Sequence, residues 1–144
     1  MQISSRFTLA VHILVCIETF KKNCKVTSQL LASSANVNPV VIRRLLQQLS
    51  RAGIVSVKRG SGGADIARPL SEITLLDIYN AVECVEKGTL FHFHESPNPL
   101  CPVGKNIHAL LDEKLLEIQR AMEEKMQAIS MQDILKDMQK LVNI

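Results

Sequence analysis

Residues 26–67 read VTSQLLASSANVNPVVIRRLLQQLSRAGIVSVKRGSGGADIA, and the run Asn38-Pro39-Val40-Val41-Ile42-Arg43-Arg44 inside it decides how the rest is organised. Asn38 can cap a helix N-terminus, and Pro39 suits the first helical position, where no amide hydrogen is needed. From there Ile42, Leu45, Leu46 and Leu49 return every three or four residues, so they form an apolar stripe that must face a core. Val40, Arg43, Arg44, Gln47 and Arg51 turn away from that stripe. Their chemistry suits a DNA major groove: arginine forks guanine O6 and N7, glutamine pairs adenine N6 and N7, and valine meets a thymine methyl. Arginine and glutamine are also good solvent-facing helix formers, so this helix alone does not decide its use.

Its neighbours carry the decision. Upstream, Thr27 or Ser28 can cap a short helix holding Leu30 and Leu31, and Ala35-Asn36-Val37 is short enough to be the turn between two helices. Downstream, Gly53 ends the second helix and Ile54-Val55-Ser56-Val57 is strand-like. Lys58-Arg59-Gly60-Ser61-Gly62-Gly63 then makes a glycine-rich basic turn before Ala64-Asp65-Ile66-Ala67. Helix, turn, helix and basic hairpin together predict a winged helix-turn-helix that binds nucleic acid. The candidate DNA contacts are Ser28, Asn38, Val40, Arg43, Arg44, Gln47, Arg51, Lys58 and Arg59. The competing reading keeps the winged helix but uses it as a protein-interaction module without DNA.

At 144 residues the chain is long enough to bury a real core, and with 47% hydrophobic but only 3% aromatic residues that core must be aliphatic. A net charge of +3 neither requires nor excludes DNA; what matters is that Arg43, Arg44, Arg51, Lys58 and Arg59 fall within 17 positions. Val11 to Ile17 is interrupted by His12 and followed by Glu18, Lys21 and Lys22, which reads as a buried helix rather than a signal or membrane segment. A cytoplasmic protein with no membrane partner is expected. The four cysteines, Cys16, Cys24, Cys84 and Cys101, have no close paired spacing, so neither a zinc knuckle nor a secreted disulfide framework is suggested. No nucleophile elbow, phosphate-binding loop or spaced carboxylate pair is present, which argues against an enzyme.

The first helix carries Phe7, Ala10, Ile13, Leu14 and Ile17 at helical spacing and should pack under the reading unit, with Arg6 near its start able to touch a phosphate. A solvated Arg6 is the plainer alternative. Leu75, Ile78, Tyr79 and Val82 mark an amphipathic helix that closes the unit, opened by Ser71 or Thr74. From Thr89 to Leu100, Phe91 and Phe93 alternate with His92 and His94, while Pro97 and Pro99 forbid a helix. Pro102 then starts a helix of roughly 25 residues, about 38 Å long. Its seam runs through Ile107, Leu110, Leu111, Leu115, Ile118, Met122 and Met126. That exceeds what a small domain needs, so Ile107, Leu111, Leu115, Ile118, Met122 and Met126 are the candidate interface of a symmetric homodimer suited to a palindromic duplex. Ser130 and Asp133 resemble a capping box for a short last helix. The expected organisation is a DNA-binding domain at 1–86, a loop or sensor segment at 87–101, and a dimerisation and C-terminal helical part at 102–144. The expected fold is mainly α with a small β-hairpin wing.

The segment Val26 to Leu76, with Arg43-Arg44, Ala52-Gly53-Ile54-Val55, Arg59-Gly60, Gly62-Gly63 and Ile73-Thr74-Leu75-Leu76, resembles the Rrf-two family of bacterial winged-helix transcriptional regulators. The likeness extends over nearly the whole chain. Asn98-Pro99-Leu100-Cys101-Pro102-Val103-Gly104 is similar to the branch that includes YwnA-like proteins and a hypochlorite-sensing repressor. The resemblance implies a homodimer with crossed long helices, repression of transcription, Val40, Arg43 and Arg44 at base edges, and Arg59 in a minor groove. Ser61 stands where the family often has proline, and Ala64-Asp65 where it has a glycine–aromatic pair.

Family members that hold an iron–sulfur cluster use several close cysteines before the long helix, because thiolate ligands must converge. This chain has only Cys101 there, which argues against a cluster or other cofactor. His92, His94 and Cys101 leave a metal-responsive regulator as an alternative, with alternate histidines of an extended segment sharing one face. The sharper expectation is redox sensing by Cys101, whose place at a helix cap favours its thiolate and so its oxidation. The effector would then be an oxidant or a small thiol. Its disulfide partner stays open among Cys24, Cys84, a second Cys101 and a small thiol, and a structural cap is the alternative role.

Overall fold

The computed structural model describes residues 3–82 and 90–142. Helix α1 (Arg6–Phe20) buries Ala10, Ile13, Leu14, Cys16 and Ile17, the face its periodicity predicts. Helix α2 (Ser28–Ala35) is capped by Thr27, whose hydroxyl accepts the Leu30 amide at 3.2 Å. It ends where Asn36 takes a left-handed φ of 56°, which lets the Val37 amide donate to the Ala32 carbonyl at 3.1 Å. That turn aims the chain into α3 (Pro39–Arg51), where Asn38 Oδ1 accepts the Val40 amide at 2.9 Å. Ile42, Leu45, Leu46 and Leu49 are all buried, as the stripe requires. At the far end Gly53, with φ 75°, lets the Ile54 amide reach back to the Leu49 carbonyl at 3.0 Å and frees the chain to extend.

Strands β1 (Val55–Val57) and β2 (Ala64–Ile66) pair antiparallel, with Val55 opposite Ile66 and Val57 opposite Ala64. A short 3-10 turn at Gly60–Gly62 forms the tip. The base of this wing is pinned to the linker before α2, because the Ala64 amide donates to the Val26 carbonyl at 2.9 Å. Gly63, at φ 77°, lies so close that a Cβ there would meet the same oxygen at 3.0 Å. The Ala64-Asp65 pair therefore leaves the hairpin anchored through its backbone, with Ala64 itself buried.

Helix α4 (Leu75–Ala81) opens with a reciprocal capping box: the Thr74 hydroxyl accepts the Asp77 amide at 3.1 Å, and Asp77 Oδ2 accepts the Thr74 amide at 3.0 Å. Arg68 donates to the same carboxylate at 3.0 Å, tying the exit from the wing to α4. Cys84 lies outside the described residues. The segment 90–100 is non-helical and returns along α5 (Pro102–Gln127): the Leu90 amide donates to Gln119 Oε1 at 3.1 Å, and Phe93 stacks on His108 with ring centroids 4.0 Å apart.

No residue of α5 is fully buried, although it spans 26 residues. Its C-terminal half leans on the molecule's own core through Met122 and Met126, while Leu110 and Ile118 remain 54% and 53% exposed. Helix α6 (Met131–Val142) packs on the molecule's own core. It is no appendage, because Met131 and Leu135 are buried in the same core as α1 and α4. The physical reason is a backbone zip ahead of it: the Leu75 amide donates to Ile129 O at 2.9 Å, and the Met131 amide to Ile73 O at 2.7 Å. Its capping box is the one the sequence predicts, with Ser130 Oγ accepting the Asp133 amide at 3.2 Å and Asp133 Oδ2 the Ser130 amide at 2.9 Å.

Candidate nucleic-acid interface

With its apolar stripe inward, α3 must present the opposite face to solvent. Val40, Arg43, Arg44, Gln47 and Arg51 are all exposed there, and Lys58 and Arg59 are exposed on the wing beside them. Among the described residues none of these five cations forms an ion pair. Their charge is thus available to an external anion rather than folded back onto carboxylates. Arg43 lies two helical turns from Ser50 on the flank of α3 that faces the wing.

Between that flank and the hairpin runs a recess of about 620 Å³. It brings together Ser28, Arg43, Gln47, Arg51, Lys58 and Arg59, and among the described residues no aspartate or glutamate lines it. Asn38, Val40 and Arg44 lie outside it, although Val40 and Arg44 share the exposed face of α3. Asn38 Oδ1 already serves the helix cap, which leaves its amide nitrogen and the oxygen's second lone pair for a ligand. Thr27 and Ser50 also line the recess and were not among the candidates. Ser50 was legible from its two-turn offset to Arg43; Thr27 was not, because its place depends on how the wing is pinned to the linker at Val26.

Cys101 takes the extended N-cap conformation at the start of α5, with φ −84° and ψ 129°. Its side chain makes no cap hydrogen bond of ordinary geometry, yet the backbone amides of Gly104 and Val103 lower its thiol below the ordinary value. The thiol is half-exposed and free. Cys24 is free and exposed after α1, and Cys16 is buried with its sulfur 3.2 Å from Ser34 Oγ.

The metal alternative needs correction. His92 and His94 are exposed, and Phe93 between them is drawn onto His108, which fixes the segment along α5. Among the described residues no three histidine, cysteine, aspartate or glutamate side chains are grouped to hold a metal ion, so His92, His94 and Cys101 do not form a ligand set. No helix among the described residues is long and apolar enough to cross a membrane.

A helix-turn-helix followed by an antiparallel wing, with a basic recess between them and a long helix beyond, defines a winged helix-turn-helix transcriptional regulator. Residues 3–137 match the model of the Rrf2, or Rrf-two, family, described as an iron-dependent transcriptional regulator, and the chain belongs to that family. It is 41% identical over 133 residues to YwnA of Bacillus subtilis (strain 168), a candidate HTH-type transcriptional regulator, covering 92% of this chain and 96% of the relative. A crystal structure of a candidate DNA-binding protein superposes with a TM-score of 0.72 at 37% identity, covering 91% of this chain and 99% of the other. IscR of T. potens, at 21% identity, shares the fold with a TM-score of 0.68 over 98% of this chain and 90% of its own. The family and these regulators are not enzymes. Among the described residues the iron in the family's description finds no fitting donor set. Cys16 is in the core, Cys24 follows α1, Cys101 heads α5, and no three donors converge among the described residues.

Proposed function

We propose that the protein is a sequence-specific DNA-binding regulator, a repressor, that acts as a homodimer on a palindromic operator in the cytoplasm and responds to oxidants through Cys101. The observation that carries DNA binding is the basic face of α3 and the wing, five exposed cations without ion pairs among the described residues around a recess free of carboxylates. In this reading α3 enters the major groove, Val40, Arg43 and Arg44 meet base edges, and Arg59 reaches a minor groove from the wing tip. Gln47 reads or supports on the same face. Ser28, Asn38, Arg51 and Lys58 hold the backbone.

The dimer reading rests on α5, whose seam keeps Ile107, Leu111 and Leu115 partly exposed and Leu110 and Ile118 more than half exposed. A second copy crossing there would cover them. Met122 and Met126 contribute less, since they are already turned to the molecule's own core. The sensing reading rests on the lowered thiol of Cys101. Hypochlorite converts the thiolate to a sulfenic acid with release of chloride. A second thiol, from a small thiol or another cysteine, then condenses with it to a disulfide and releases water.

Selection of bound genomic fragments, with and without oxidant, tests the whole reading. It should return one inverted repeat, occupied in the reduced state and released by hypochlorite. Cys101→Ser should keep the affinity and lose the release. Arg43→Ala and Arg59→Ala should each weaken binding to the selected site by about 1–3 kcal/mol. Equal affinity in both variants would refute the base-reading assignment.

A further inference from the structure

Val40 and Val41, adjacent in the first turn of α3, are 49% and 39% exposed. Solvent is an unfavourable place for them, because β-branched residues form helix less readily than the polar residues that usually cover such a face. The helix dipole would favour an acidic residue in that turn, and α3 has none there. Lacking a carboxylate suits a helix end that enters a polyanion. It does not account for the two valines, since a polar side chain would serve a phosphate better.

The base edges of a major groove carry hydrogen-bonding groups and a single apolar group, the 5-methyl of thymine. A valine gains from excluding water only against that methyl. Beside a base N–H or carbonyl it would displace a hydrogen-bonded water and replace it with nothing. The two valines also point to different places, because successive helical residues turn by about 100°. Val40 stands with Gln47 and Arg51 on the middle of the exposed face, opposite the buried stripe. Val41 stands on the flank with Arg44 and Gln48, in a recess separate from the one that the wing closes, whereas Arg43 and Ser50 occupy the flank towards the wing. A helix about 10–12 Å across fills a groove about 12 Å wide, so its two flanks meet different strands. A thymine methyl stands nearer the backbone of its own strand than the middle of the groove, within reach of a flank residue. Resting on the DNA-binding reading above, we propose that Val41 is a specificity-determining residue that takes the 5-methyl of a thymine on the strand opposite the wing. This thymine is distinct from the one whose methyl Val40 meets, so each half-site requires thymine at two places.

The test uses the full chain and its selected operator duplex, with deoxyuridine placed for thymine one position at a time, a change that removes the methyl and nothing else. The natural protein should lose affinity about fourfold for each half-site altered at the thymine of Val41, the change expected for one buried methyl. Val41→Ala should bind the unaltered operator at least that much more weakly and lose nothing further at that uridine, while staying sensitive at the thymine of Val40. Its slope of log affinity against log salt should equal that of the natural chain, since no phosphate contact is touched. Val41 is exposed, so the variant's thermal melting should match as well. Single methylphosphonates whose effect disappears in Lys58→Ala mark the strand that the wing holds, and the thymine silenced by Val41→Ala should lie on the other. Tight binding by the natural chain with no uridine position silenced in Val41→Ala overturns this proposal alone. A flattened salt slope in that variant, or a silenced thymine on the wing's strand, overturns it too. Failure of the natural chain to bind any duplex overturns the DNA-binding reading and this one with it.

Discussion

Asn36 holds the angle between the two helices of the reading unit. Its φ of 56° is one that residues with a branched Cβ pay steric energy to adopt, while asparagine tolerates it and glycine is indifferent. Asn36→Val should therefore lose about 1–2 kcal/mol of unfolding free energy in a urea titration, whereas Asn36→Gly should stay close to the natural chain. Asp133 works at the same scale. It accepts the Ser130 amide at 2.9 Å, and that bond, helped by the Ser130 hydroxyl, holds its carboxyl below the ordinary range. A depressed folded value means that its stabilisation is complete above the unfolded carboxyl's value and disappears as pH falls through the folded one. The natural chain and Asp133→Asn should thus differ in melting temperature near neutral pH and converge in strong acid. A constant gap across that range would show that the carboxylate is not the active group.

At the scale of elements, legibility followed from whether a segment carries its own instructions. Helix α3 was readable end to end because the Asn38 cap, Pro39, the Ile42–Leu49 stripe and Gly53 all agree. The wing was readable from its chemistry, β-branched residues around a glycine-rich basic turn. What could not be read is where elements meet. The docking of α6 depends on Ile129 and Met131 pairing with the backbone of Leu75 and Ile73, more than fifty positions away, and nothing local announces that. The recess between α3 and the wing is likewise a product of packing, which is why Thr27 did not stand with the other contacts. Helix α5 shows the same limit: its periodicity marks one seam without apportioning it between Met122, which turns to its own core, and Ile118, 53% exposed. That division makes Ile118 the better probe of association. Ile118→Glu should leave helical content unchanged and shift the sedimenting species from dimer to monomer. Operator affinity should fall by roughly a hundredfold, the order expected when two linked half-sites are uncoupled. A variant that remains dimeric would move the interface off this seam.

For the whole molecule, the shared core ties the C-terminal half of α5 to the reading unit. Met131 and Leu135 close the core from the C-terminal side while Met122 and Met126 brace α5 against it. In the proposed dimer each α3 would therefore be carried at a set distance and angle from its twin. Two recognition helices on one face of B-form DNA must lie one helical turn apart, about 34–36 Å, or a multiple of it. Inserting five base pairs at the centre of the selected inverted repeat turns the second half-site to the far side of the duplex. Binding should then drop to the level of a single half-site. Inserting ten restores the facing but lengthens the span by another turn, which a rigid dimer cannot follow, so affinity should stay low. Recovery at ten but not at five would instead indicate heads free to spread apart, and that result would place a hinge between α4 and α5 where the packing of Met122 and Met126 argues for a brace.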